Sequence, residues 1–197
     1  MYTVAEHSLV ETCGASRDMR KALVILGTLD DSDVEWMIAA GKRERMAAGS
    51  MLIQEGHSSD YLYVVVDGAF AVRSGALQGK QIAELRTGEM VGEMSFVDAR
   101  PPSASVVALE DSLVLSIPVT SLRDRLNDPP FAARFYRALA VFLADRLRNT
   151  VTSLGYGRAS IDQEQVDMGD EIGPTMLETL GLAGARVGLM MKRLRGE

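Results

Sequence analysis

Hydrophobic positions change their period along this chain, and the change divides it. Residues 31–40 carry Val34, Met37 and Ile38 at helical spacing, with Trp36 at the edge of that face. Asp30 stands where an N-cap is needed, Leu29 and Val34 are placed as a hydrophobic staple, and Gly41 is placed to end the helix. From residue 45 to 118 the texture becomes short β-branched and aromatic runs, punctuated by Gly49, Gly56, Gly68, Gly75, Gly79, Gly88 and Gly92. Strands with turn signals at this spacing predict a β-barrel or sandwich. Leu62, Val64 and Val66 fall on one face, and Asp67-Gly68 predicts a hairpin turn into residues 69–73. Leu113, Leu115 and Ile117 alternate inward until Pro118 stops the strand.

Helical periodicity then returns. A short helix is expected at residues 120–126, and Asp128 followed by Pro129 is a cap-and-first-turn signal for a long helix over about residues 130–154. Ala132, Tyr136, Leu139, Leu143, Leu147, Thr150 and Leu154 repeat every three or four residues, and Phe131, Phe135 and Phe142 widen the stripe. A stripe this wide predicts two packed sides, one on the strands and one on a second copy of the chain. Before residue 29 only residues 19–26 are apolar enough to pack as a short helix. The expected organisation is an extension at residues 1–28, a domain at 29–154, and a linker with a short amphipathic tail at 155–197.

Composition narrows the function without naming it. Of the 197 residues, 47% are hydrophobic and 24% charged, enough for one buried core and unlike a disordered chain. No run is long and apolar enough for an integral membrane segment, and the first residues lack a secretory pattern, so the expected location is cytoplasmic. A net charge of −6 argues against DNA as the main partner. Cys13 has no second cysteine, and His7 and His57 have no supporting cluster, so neither a metal site nor a catalytic constellation is indicated and an enzyme is not expected.

The sequence GEMSFVDARPPSASV at residues 92–106, preceded by Gly49, Leu52-Ile53, Gly56, Tyr61-Leu62-Tyr63 and Asp67-Gly68, resembles the phosphate-binding cassette of cyclic nucleotide-binding domains together with its upstream landmarks. The resemblance covers roughly residues 25–150. It implies an eight-stranded jelly-roll barrel with flanking helices, mainly β in class, followed by a long C-terminal helix that moves or dimerises in response to ligand. It implies ligand-binding roles for Gly92, Glu93, Met94, Ser95, Ser103, Ala104 and Ser105, with Glu93 accepting from a ribose hydroxyl. The backbone amides of Glu93, Met94 and Ser95 would open a helix toward an anion. The family's phosphate-gripping arginine falls at Pro102, which offers neither charge nor an N–H. Arg100, Arg73 and Arg86 are the candidate replacement cations.

These features imply a ligand, not a tightly held cofactor: a cyclic mononucleotide, or a cyclic dinucleotide whose second phosphate uses another surface. The expected role is regulation of an unidentified protein partner. The alternatives are a ligand-free interaction scaffold, and a catabolite-activator-type transcription regulator lacking a full helix-turn-helix, for which residues 155–197 are short. In that tail, Met176, Leu180, Ala183, Val187, Met190 and Leu194 have helical spacing, and Arg186, Lys192, Arg193 and Arg195 load its end with positive charge. Gly181, Gly184 and Gly188 weaken it as an independent helix, so it needs a surface to fold against.

Overall fold

Two four-stranded antiparallel sheets face each other, and helices cover one of them. The computed structural model describes residues 28–153 and Arg193. In chain order the elements are α1 (Asp31–Ala40), β1 (Lys42–Met46), β2 (Met51–Ile53), β3 (Tyr61–Asp67), β4 (Ala69–Ser74), a 3-10 turn (Gly75–Leu77), β5 (Lys80–Arg86), β6 (Met90–Val91), α2 (Glu93–Asp98), β7 (Ser105–Ala108), β8 (Ser112–Pro118), α3 (Val119–Arg125) and α4 (Pro129–Ser153). The strand orders are β1-β8-β3-β6 and β2-β7-β4-β5. The eight strands make the expected jelly roll, as an open sandwich and not a closed barrel. Residues 1–27 of the expected extension, with the stretch at residues 19–26, lie outside the described residues, as do Leu154 and all of the linker and tail except Arg193.

The turn at Asp67-Gly68 does not make a hairpin. β3 pairs with β8 and β6, whereas β4 pairs with β5 and β7, so the chain crosses from one sheet to the other at Gly68. Gly68 has φ +95°, and a β-carbon there would collide with the Ser112 side chain. The turn dipeptide thus signals a tight reversal, and burial on both faces of β3 decides where each strand goes.

That burial separates two cores. Leu62, Val64 and Val66 of β3 join Leu115 and Ile117 of β8 beneath the helices, with Met37, Phe131, Phe135, Leu139 and Phe142 above them. Tyr63, Val65 and Val114 point the other way, between the sheets, against Phe70, Val91 and Val106. The inward alternation expected at Leu113, Leu115 and Ile117 is therefore toward the helical layer, and Leu113 is only partly buried there.

α1 begins and ends where expected. Asp30 accepts from the Asp33 amide at 2.9 Å, and Asp33 accepts from the Asp30 amide at 3.1 Å, a reciprocal cap. The expected buried face omits its most buried member, because Asp33 is fully enclosed by Arg134 of α4, with Nε to Oδ2 at 2.5 Å and Nη2 to Oδ1 at 2.8 Å. Arg134 also lies 2.9 Å from Asp30. Trp36 meets Phe131 edge-on with centroids 5.4 Å apart, so α1 and α4 share both an ionic and an aromatic joint.

Candidate functional site

The site is built on the break between β6 and α2. Val91 is fixed between the sheets, and Gly92 then takes φ +91°, where a β-carbon would lie 3.2 Å from the Tyr61 carbonyl. Glycine is required there both by conformation and by space. The Phe96 amide bonds to the Gly92 carbonyl at 3.1 Å, which starts α2. The amides of Glu93, Met94 and Ser95 precede the first amide with an intrahelical acceptor, as at any helix start. Phe96 anchors the helix by meeting Phe135 of α4 edge-on at 5.9 Å. Met94 and Val97 are exposed on the opposite side.

Glu93 is 1% exposed, and its Oε1 accepts a hydrogen bond from Arg146 Nη1 of α4. The same guanidinium donates from Nη2 to the Met90 carbonyl at 3.2 Å and sits 3.9 Å from the buried Glu89 carboxylate. Its flat face lies 4.6 Å from the centre of the Phe142 ring. A buried carboxylate demands such a partner, and the planar fork of arginine serves a carboxylate, a carbonyl and an aromatic face together. Arg146 and Glu89 were not among the residues expected at the site. The available signal was a cation four residues after Phe142, on the helix face that otherwise carries Phe131, Phe135 and Leu139.

The rest of the cassette runs along the turn after β2. Ala99 ends α2 with φ +56° and bonds its amide to the Ser95 carbonyl at 3.1 Å. Arg100 turns outward: it is 83% exposed, its guanidinium is 3.8 Å from Asp98, and its amide bonds to Asp98 at 3.0 Å. Pro102 is half-buried and its carbonyl accepts from the Gly56 amide at 2.9 Å. Ser103 is exposed and Ala104 half-buried, while the Ser105 hydroxyl accepts from the Glu55 amide at 3.0 Å. Glu55 itself receives the Gly75 amide at 2.6 Å, tying this turn to the end of β4.

Of the other candidate cations, Arg73 is opposite Ser105 in the β4–β7 register and exposed, and Arg86 is paired with Glu84. On the inner side, the Tyr63 hydroxyl meets Ser59 at 3.3 Å. Burial raises the Tyr63 hydroxyl above the ordinary phenol range, against the opposing pull of that bond, so it stays neutral and hydrogen-bonding.

Glycine at the turn, a helix opening at Glu93, and a buried carboxylate held by the long helix make an arrangement suited to a ligand hydroxyl beside an anion. Among the described residues no group of three or more His, Cys, Asp or Glu is placed to hold a metal ion, and no helix is long and apolar enough to cross a membrane.

Comparison with known proteins agrees with this geometry. Residues 43–128 match the family model described as the cyclic nucleotide-binding domain. An NTE family protein of Mycobacterium tuberculosis H37Rv is 30% identical over 130 residues, which are 64% of this chain and 22% of that protein. The chain thus spans only about a fifth of that relative's length. The cyclic AMP receptor protein of Thermus thermophilus is 30% identical over 122 residues, 61% of this chain and 55% of that one. A crystal structure of a cyclic nucleotide-binding domain from Methylobacillus flagellatus shares the fold with a TM-score of 0.63 at 23% identity, covering 73% of this chain and 86% of its own. Residues 43–128 therefore match a cyclic nucleotide-binding domain.

Proposed function

We propose that this chain is a cytoplasmic regulatory module that senses a cyclic mononucleotide or dinucleotide weakly, and passes the occupancy of its cassette to a partner protein through α4. The observation that carries this reading is the bond from Arg146 of α4 to the buried Glu93. A ligand hydroxyl that reaches Glu93 would meet a carboxylate already bonded to α4, which gives α4 a direct link to the ligand. The role is regulatory and not catalytic, in keeping with the domain family and with relatives such as the Thermus receptor protein.

Weak binding follows from Pro102. A hydrogen bond to a charged group contributes roughly 1.5–3 kcal/mol, so its absence lowers affinity by about ten- to a hundredfold. Arg100 is turned to solvent beside Asp98, which supports a weak site. The side of α4 away from the core exposes Tyr136, Leu147 and Val151, which supports a homodimer through this helix, readable by sedimentation of the intact chain.

The second reading, a ligand-free scaffold, is favoured by the same bond, because Arg146 already satisfies the carboxylate that a ligand would use. Calorimetric titration with cyclic AMP, cyclic GMP and cyclic di-GMP separates the two. The wild-type chain should give weak saturable heat with one of them, Pro102→Arg should bind about ten- to a hundredfold more tightly, and adding Glu93→Ala should abolish that gain. Silence from the wild type and from Pro102→Arg alike would discard sensing in favour of the scaffold.

A further inference from the structure

We propose that the amphipathic segment at residues 175–194 docks on the outer edge of α1 in its own chain. The contact that points there is Arg193 Nη1 to Glu35 Oε1 at 3.4 Å, which places the basic end of the segment beside the first helix of the domain. α1 is a fitting acceptor. Asp31 and Glu35 are exposed one turn apart, alongside the half-buried Val34 and Ile38, so an acidic edge borders apolar surface. By its spacing the segment would offer the complement: Met176, Leu180, Val187 and Met190 recur at helical intervals, and Arg186, Lys192, Arg193 and Arg195 lie toward its end.

The ion pair alone cannot drive docking, since both side chains are more than half exposed and such pairs contribute little. It acts as a register mark for apolar packing. Chain length permits the return: from the Arg134 joint to the end of α4 is a rise of about 28 Å, and residues 154–192 span far more than that when extended.

The test uses the full chain with Cys13→Ser and a pair of new cysteines, Ala39→Cys on the exposed side of α1 and Glu197→Cys four residues after Arg193. A short bismaleimide reagent should link them within one chain at least several-fold faster than it links Glu197→Cys to Ile82→Cys, an exposed site on β5 in the other sheet. Glu35→Lys or Arg193→Glu in the first background should each slow that link by about threefold, the scale of a half-exposed ion pair, and the two together should restore it. Equal rates at residues 39 and 82 would overturn the proposal. Links formed only between chains, read by mass spectrometry of mixed isotopic samples, would overturn it in favour of docking on a second copy.

Discussion

Two arginines of α4 hold two buried carboxylates, and the pairs differ in what surrounds them. Arg134 grips Asp33 with two bonds and Asp30 with a third contact, so the guanidinium is spent on the first turn of α1 and its cap. Arg146 gives Glu93 one bond, divides the remainder between the Met90 carbonyl and Glu89, and rests on Phe142. The first pair is a joint between two helices, complete in itself. The second joins α4 to the one carboxylate that the cassette would offer a ligand. The same chemistry serves as a fastener in one place and, under the proposed function, as an exchangeable contact in the other.

The largest effect should come from breaking the joint. Asp33→Ala removes a fully enclosed carboxylate, half of the reciprocal cap and the bidentate partner of Arg134. Loss of one partner of a buried pair costs about 3–5 kcal/mol, and because Arg134 is partly in water the expected loss is about 2–4 kcal/mol. Urea denaturation measures it. A loss below about 1 kcal/mol, the range of an exposed pair, would erase the distinction between joint and contact.

Arg146→Met comes next. It keeps much of the packing on Phe142 but leaves Glu93 enclosed without its cation, a penalty of about 1–3 kcal/mol. Adding Glu93→Gln should recover at least half of that loss, because a neutral amide no longer needs the charge. A double variant no more stable than Arg146→Met would mean that Arg146 matters for its contact with Phe142 and not for Glu93.

The difference between the pairs also marks where sequence reading stopped. A β-barrel or sandwich followed by a long helix was legible because glycines at reversals and the doubled apolar stripe of α4 report backbone conformation and burial, which are local, whereas the jelly roll itself came with the resemblance to cyclic nucleotide-binding domains. Gly92-Glu93 was legible through that resemblance, and the positive φ at Gly92 with the crowding by the Tyr61 carbonyl gives the physical reason for the glycine. The partners were not. Asp33 and Arg134 are 101 residues apart and Glu93 and Arg146 are 53, and periodicity carries no record of which charged side chain meets which across the helical layer. The destination of β4 was lost in the same way, because Asp67-Gly68 specifies a reversal but not the sheet into which it delivers the strand. The one usable trace of the long-range pairs was a charge on an otherwise apolar helix face, as at Arg146 and Asp33.

The smallest expected effect separates the pairs by acid. Asp30 is held below its ordinary value of 3.8 first by the Ser32 hydroxyl and then by the Asp33 amide, with Arg134 adding to both. A carboxyl whose folded value is depressed contributes its full stabilisation above its unfolded value and loses it as pH falls through the folded one. The joint should therefore hold at neutral pH and weaken only below about pH 4. Asp30→Asn keeps an oxygen that can accept from Ser32 and from the Asp33 amide while removing the charge, and asparagine caps helices as well as aspartate does. Thermal melts from pH 5 to pH 3 should thus fall more steeply for the wild type than for Asp30→Asn. The gap stays small, because Asp30 is 45% exposed and its attraction to Arg134 is screened by water. Parallel curves would place the acid-sensitive contact elsewhere, and the Arg134 cluster would then owe its hold on α1 to Asp33 alone.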